Sequence, residues 1–96
     1  MRPSQALQGK RDAVRALVEH FPVGNPRVFG SVLHGTDQEG SDLDILVDAM
    51  PGATLFDIGG LQDALEGLLG VSVDVLTPGD LPVKARDVVL SEAVPV

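Results

Sequence analysis

The chain has no cysteine, tryptophan or tyrosine, and only three phenylalanines in 96 residues. Without cysteine there can be no disulfide framework, thiolate metal site or cysteine nucleophile. Without Tyr or Trp there is no aromatic platform on which bases could stack, and the chain has no tyrosine of its own to modify. Cations are scarce as well: seven Lys and Arg stand against fourteen Asp and Glu, for a net charge of −7. Phosphate backbones are held by clustered Lys and Arg, so broad nucleic-acid binding is not expected. No apolar run is long enough to span a bilayer, and Met1-Arg2-Pro3-Ser4 lacks the apolar stretch of a secretion signal. These absences predict a cytoplasmic protein with no membrane association.

What is present is 44% hydrophobic and 22% charged residues, the balance of one globular domain over residues 1–96 with a thin core. Ser4 can cap a helix running to about His20, with Leu7, Val14, Leu17, Val18 and Phe21 near one face. Pro22, Gly24 and Pro26 break the chain, and Arg27-Val28-Phe29 reads as a short strand ended by Gly30. Ser31 to His34 can form one helical turn, followed by a polar loop from Thr36 to Ser41. Asp42 to Val47 alternates as a strand, with Leu43, Ile45 and Val47 on one face and Asp42 and Asp44 on the other.

Thr54 and Asp57 then open a helix as a variant capping box; Ile58, Leu61, Leu65 and Leu68 form its stripe and Gly70 ends it. Val71 to Leu76 is a third strand. Pro82 suits the first position of a last helix reaching about Ala93. The order is αβ(α)βαβα, with strands that are apolar on one face and free to carry chemistry on the other.

Three features fall on that second face or at its edge. Gly30-Ser31 joins a strand to a helical turn, where backbone can approach a ligand closely and N–H groups with a hydroxyl can receive an anion; an ordinary turn with a serine cap has the same two residues. Asp42 and Asp44 lie two apart, about 7 Å by strand rise. They can converge on Mg²⁺ ions about 3.5–4 Å apart, as in two-metal phosphoryl chemistry, and hard oxygen ligands are what Mg²⁺ prefers. Asp74 sits within Val71-Ser72-Val73-Asp74-Val75-Leu76, where an ionised carboxylate is costly unless it binds metal or is paired. Arg27 or Arg86 could supply that pairing.

Gly30-Ser31, ten intervening residues and Asp42-Leu43-Asp44 form the pattern GSx10DxD. With Phe29, Gly35, Ser41 and the later Val73-Asp74-Val75-Leu76-Thr77 and Val89-Leu90-Ser91-Glu92-Ala93-Val94, the chain resembles the minimal nucleotidyltransferases of the DNA polymerase β-like superfamily over residues 10 to 96. The resemblance implies an α+β nucleotidyltransferase fold, a small mixed sheet with helices on one face. It further implies that Gly30 and Ser31 hold the triphosphate of ATP or another nucleoside triphosphate, and that Asp42, Asp44 and Asp74 hold two Mg²⁺ ions and carry catalysis. Many relatives carry arginines after Gly-Ser, where this chain has Val32 and His34; His34 is a loop histidine or a hydrogen-bond donor without fixed charge.

Members of this branch are typically antitoxins of a helical HEPN-domain ribonuclease toxin, silencing it by binding and by AMP transfer to a tyrosine. By resemblance, the expected state is therefore a hetero-oligomer with such a toxin. Two further functions remain open from the residues: an antitoxin acting by occlusion alone, and a small-molecule nucleotidyltransferase whose substrate domain is on another chain. Lys10, Arg11 and Arg15 form either a contact patch or a solvated helix face.

Overall fold

The computed structural model describes all residues, Met1–Val96. Its elements are α1 (Pro3–Leu7), α2 (Arg11–Val18), β1 (Val23–Phe29), α3 (Gly30–His34), β2 (Leu43–Ala49), α4 (Leu55–Leu69), β3 (Val73–Leu76), a 3-10 turn (Pro78–Asp80), α5 (Val83–Glu92) and β4 (Val94–Pro95). The four strands form one mixed sheet in the order β3-β2-β1-β4. β1 is antiparallel to both β2 and β4, whereas β2 and β3 are parallel. A parallel pair needs a crossover, and α4 supplies it.

Strand alternation sorts the side chains. Val28, Leu43, Ile45, Val47, Val73 and Val75 meet Val14 and Val18 of α2 and Leu61, Leu65 and Leu69 of α4 in the main core. On the opposite face Phe29 and Leu46 form a smaller cluster with Leu81, against which Leu76, Val89 and Ala93 pack. That second cluster covers only part of the face, leaving the ends of β2 and β3 that carry Asp44 and Asp74.

α4 forms where its signals stand. Thr54 Oγ1 accepts from the Asp57 N–H, Asp57 Oδ2 accepts from the Thr54 N–H at 2.8 Å, and Gly70 closes the helix at φ +71. Its polar side chains also complete the sheet. Gln62 Oε1 accepts from the Val75 N–H at 3.1 Å and Glu66 Oε2 from the Val73 N–H at 3.0 Å, so two donors on the edge strand β3 are not left open.

Four expectations change. The helix expected from Ser4 to His20 is two helices, because Gly9 takes φ +72 between them. The first starts at Pro3, before Ser4, with Arg2 at the cap position. β1 runs from Val23 through the supposed breakers. Its register shifts between Gly24 and Arg27, with Asn25 at φ 51, so Pro26 lies in a bulge where no ladder donor is required. β4 was unexpected: two residues carry no periodicity, and pairing of Val28 with Val94 creates the strand.

Leu65 is fully buried whereas Phe56, nine positions earlier on α4, is 92% exposed. Leu65→Ala is expected to lower stability by about 2–5 kcal/mol and Phe56→Ser by less than about 0.5 kcal/mol, both read by urea denaturation.

Candidate active site

Asp44 and Asp74 are direct register partners on the parallel strands β2 and β3. Adjacent strands lie about 4.8 Å apart, and by alternation both side chains leave the sheet on the face away from the main core. Each is flanked by buried apolar residues, Leu43 and Ile45 in one case and Val73 and Val75 in the other. Asp42 is placed differently. It lies one residue before β2 and is exposed, so it approaches the pair from the sheet end rather than from within a strand. The three carboxylates do not close into a ready-made cage, as expected of like charges.

No protein cation relieves them. Arg27, considered above as a partner for Asp74, instead donates to Asp48 at 2.6 Å. Arg86 donates to the carbonyls of Pro78 and Leu81 at 3.0 and 3.1 Å, bracing the 3-10 turn. The Asp44 carboxyl is consequently pushed up to about 6, first by desolvation and then by the charges of Asp74 and Asp42.

Gly30 lies against this group. Its φ of +74 disfavours any side chain, and a Cβ there would fall 2.2 Å from Asp44 Oδ2. Glycine is thus required twice over: for the sharp exit from β1 into α3, and for the space in which the Asp44 carboxylate rests. Ser31 follows at the same corner, half-buried. The structure therefore brings Gly30, Ser31, Asp44 and Asp74 to one surface, with Asp42 at its rim. His34, at the far end of α3, faces Glu92 of α5 with Nε2 3.0 Å from Oε2.

The surface is open. The largest cleft, about 390 Å³, lies on the other side of β1 among Arg15, Phe21, Asn25 and Met50. A smaller one touches Ser41 and Ser72, and none of the clefts is lined by the three aspartates. A hard divalent cation fits the oxygen-only donor set and its uncompensated charge.

The nucleotidyltransferase domain model matches residues 10–96, spanning both halves of this surface. The chain belongs to the nucleotidyltransferase domain family. Protein adenylyltransferase MntA of Thermococcus cleftensis is 39% identical over 80 residues, covering 83% of this chain and 81% of that protein. A solved structure described as a candidate minimal nucleotidyltransferase has 44% identity and a TM-score of 0.85, covering 97% of this chain and 95% of its own. A toxin–antitoxin chain crystallised with AMP-PNP shares the fold at 21% identity, with a TM-score of 0.75 over 88% of this chain and 70% of its own. The protein is an enzyme of the nucleotidyltransferase class.

Two site features escaped the sequence reading. That Gly30 makes room for Asp44 needs both strands in place. Asp37, in the polar loop of this nucleotidyltransferase, is the one buried charged residue, although its surroundings in sequence suggest a solvated loop.

Because folding raises the Asp44 carboxyl above its unfolded value of about 3.9, the native state holds the extra proton between the two values. Its contribution to stability is therefore full below about pH 4 and lost as pH rises through about 6. Urea denaturation of the metal-free protein is expected to show this fall, and Asp44→Asn to flatten it. Gly30→Ala is expected to destabilise by at least about 1 kcal/mol and to move the titration of Asp44 in carboxyl-detected NMR.

Proposed function

We propose that this nucleotidyltransferase transfers AMP from ATP to a hydroxyl, that of a tyrosine on a HEPN-domain ribonuclease toxin, and so acts as its antitoxin in a cytoplasmic hetero-oligomer. The observation that carries the reading is the Asp44–Asp74 pair: adjacent carboxylates with no protein cation, resting against Gly30 and flanked by Asp42. The named activity of the Thermococcus relative supports protein as the acceptor, and the fold shared with the toxin–antitoxin chain supports the partner. The open surface is consistent with an acceptor brought in on another molecule's side chain, since no cleft beside the aspartates is shaped to enclose a small substrate.

In this reading Asp42 and Asp44 hold two Mg²⁺ ions and Asp74 contributes to one of them. Bound Mg²⁺ supplies neutralisation of phosphate charge and acidification of a coordinated hydroxyl. Gly30 and Ser31 receive the triphosphate at the β1–α3 corner, orienting the α-phosphorus towards the aspartates. Asp74 takes the proton of the attacking hydroxyl. The new bond joins that oxygen to the α-phosphorus, the α–β bridging P–O bond breaks, and pyrophosphate departs. Positioning and charge neutralisation dominate such a transfer, so the protein's contribution is the fixed placement of these groups.

The deciding measurement is intact mass spectrometry of a HEPN toxin from the same genome after incubation with this chain, ATP and Mg²⁺. Stepwise gains of AMP mass are expected with the wild type. The Asp42→Asn/Asp44→Asn double variant should lower the rate on the order of 100-fold or more. A stable complex with no mass gain would sink the catalytic reading and leave an antitoxin that acts by occlusion.

A further inference from the structure

Asp37 is only 5% exposed, and no step of the transfer uses it. It lies in the loop between α3 and β2, midway between the two halves of the site. Its carboxylate accepts from the Ser4 N–H at 2.8 Å, across 33 positions of sequence. Ser4 is the second residue of α1, where a backbone N–H has no partner within the helix. Arg2 at the cap position offers no side-chain oxygen, so Asp37 fills from afar the role that a local Ser or Asp would serve. The bond to Ser4 holds the Asp37 carboxyl below the usual carboxylate range, with the charge of Arg2 adding to the effect. α1 is a firm anchor, because Pro3, Ala6 and Leu7 are buried. The Met1 ammonium makes a second, exposed tie to Glu39.

The loop is closed again on the other side of Asp37. The Gln38 N–H donates to Ser41 Oγ at 2.9 Å, and the Ser41 N–H donates to the Gln38 carbonyl at 3.0 Å. That turn ends one residue before Asp42, which precedes β2; inter-strand bonding begins at the next residue, where the Leu43 N–H donates to the Ser72 carbonyl at 2.9 Å. The turn thus stands in sequence directly between Asp37, bonded to Ser4, and Asp42.

We propose that α1 is a brace for the active-site loop, and that Asp37 is a positioning residue which, through the Ser4 N–H, fixes the Gln38–Ser41 turn and thereby Asp42. The loop-ordering role stands on this geometry alone; its consequence for a cation rests on the metal-binding role of Asp42 proposed above. A helix cap with only local effect would have no influence beyond α1.

The test compares wild type, Asp37→Ala and Asp37→Asn by amide hydrogen exchange without metal and by Mn²⁺ titration. In Asp37→Ala the amides of Gln38 and Ser41 are expected to exchange about 10-fold faster or more, as local opening becomes easier. Mn²⁺ affinity should fall about 10-fold or more, the scale of losing an outer support of a metal ligand. Core amides such as those of Ile45 and Leu65 should keep their protection. Asp37→Asn retains an oxygen that can accept from Ser4 and is expected to restore both readouts. Should the alanine variant not fold, Asp37→Ser takes its place, its hydroxyl about one bond too short to reach.

Unchanged Gln38 and Ser41 protection with unchanged Mn²⁺ affinity, and only the Ser4 amide affected, would overturn the proposal and reduce Asp37 to a helix cap. A wild type that bound no Mn²⁺ would instead refute the metal reading of Asp42, and the exchange rates would then decide the brace by themselves.

Discussion

Parallel pairing of β2 with β3 sets Asp44 directly beside Asp74, and much of the remaining structure is arranged around the cost of that placement. Two carboxylates on neighbouring strands repel each other, and each stands between residues that are buried. An arginine between them would be the ordinary remedy in a structural protein. Both arginines near enough in sequence logic to serve are committed elsewhere, Arg27 to Asp48 and Arg86 to backbone carbonyls. No protein cation therefore offsets the pair, and the Asp44 carboxyl is raised, first by burial and then by the charges of Asp74 and Asp42.

The helices serve this pairing more than their own propensity would suggest. α4 contains Gly59, Gly60 and Gly67, which weaken an isolated helix, yet it spans fifteen residues with a capping box at one end and a left-handed glycine at the other. It is held by burial of Leu61, Leu65 and Leu69, and by Gln62 and Glu66, which satisfy donors along β3. The same helix makes the crossover that allows β3 to lie parallel to β2. The opposite face is only partly covered, by Phe29, Leu46 and Leu81. The sheet end beside Gly30 is left uncovered.

Much of this was legible in the residues. Alternation in Leu43-Asp44-Ile45 and in Val73-Asp74-Val75 sorts each strand into a buried and a polar face, because successive side chains must point oppositely. The capping signals at Thr54, Asp57 and Gly70 act within a few residues, so they too can be read locally. Less legible were the features whose partners are remote in sequence. Pro22, Gly24 and Pro26 argue for a break, yet a bulge lets the strand pass through them. Gly9 divides the first helix at a point where apolar spacing alone shows continuity.

Sequence by itself thus determined the α+β order, the two-faced strands and the aspartates available for chemistry, since period, capping and composition are short-range properties of the chain. Tertiary structure alone decided that Asp44 and Asp74 are register partners, that Asp42 stands at the rim rather than within the strand, and that Gly30 must lack a side chain. It likewise decided that Asp37 is buried against Ser4 and that the arginines turn away from the site. Each of these depends on which strand lies beside which and on what closes over a loop, and such choices are made by packing between segments tens of residues apart.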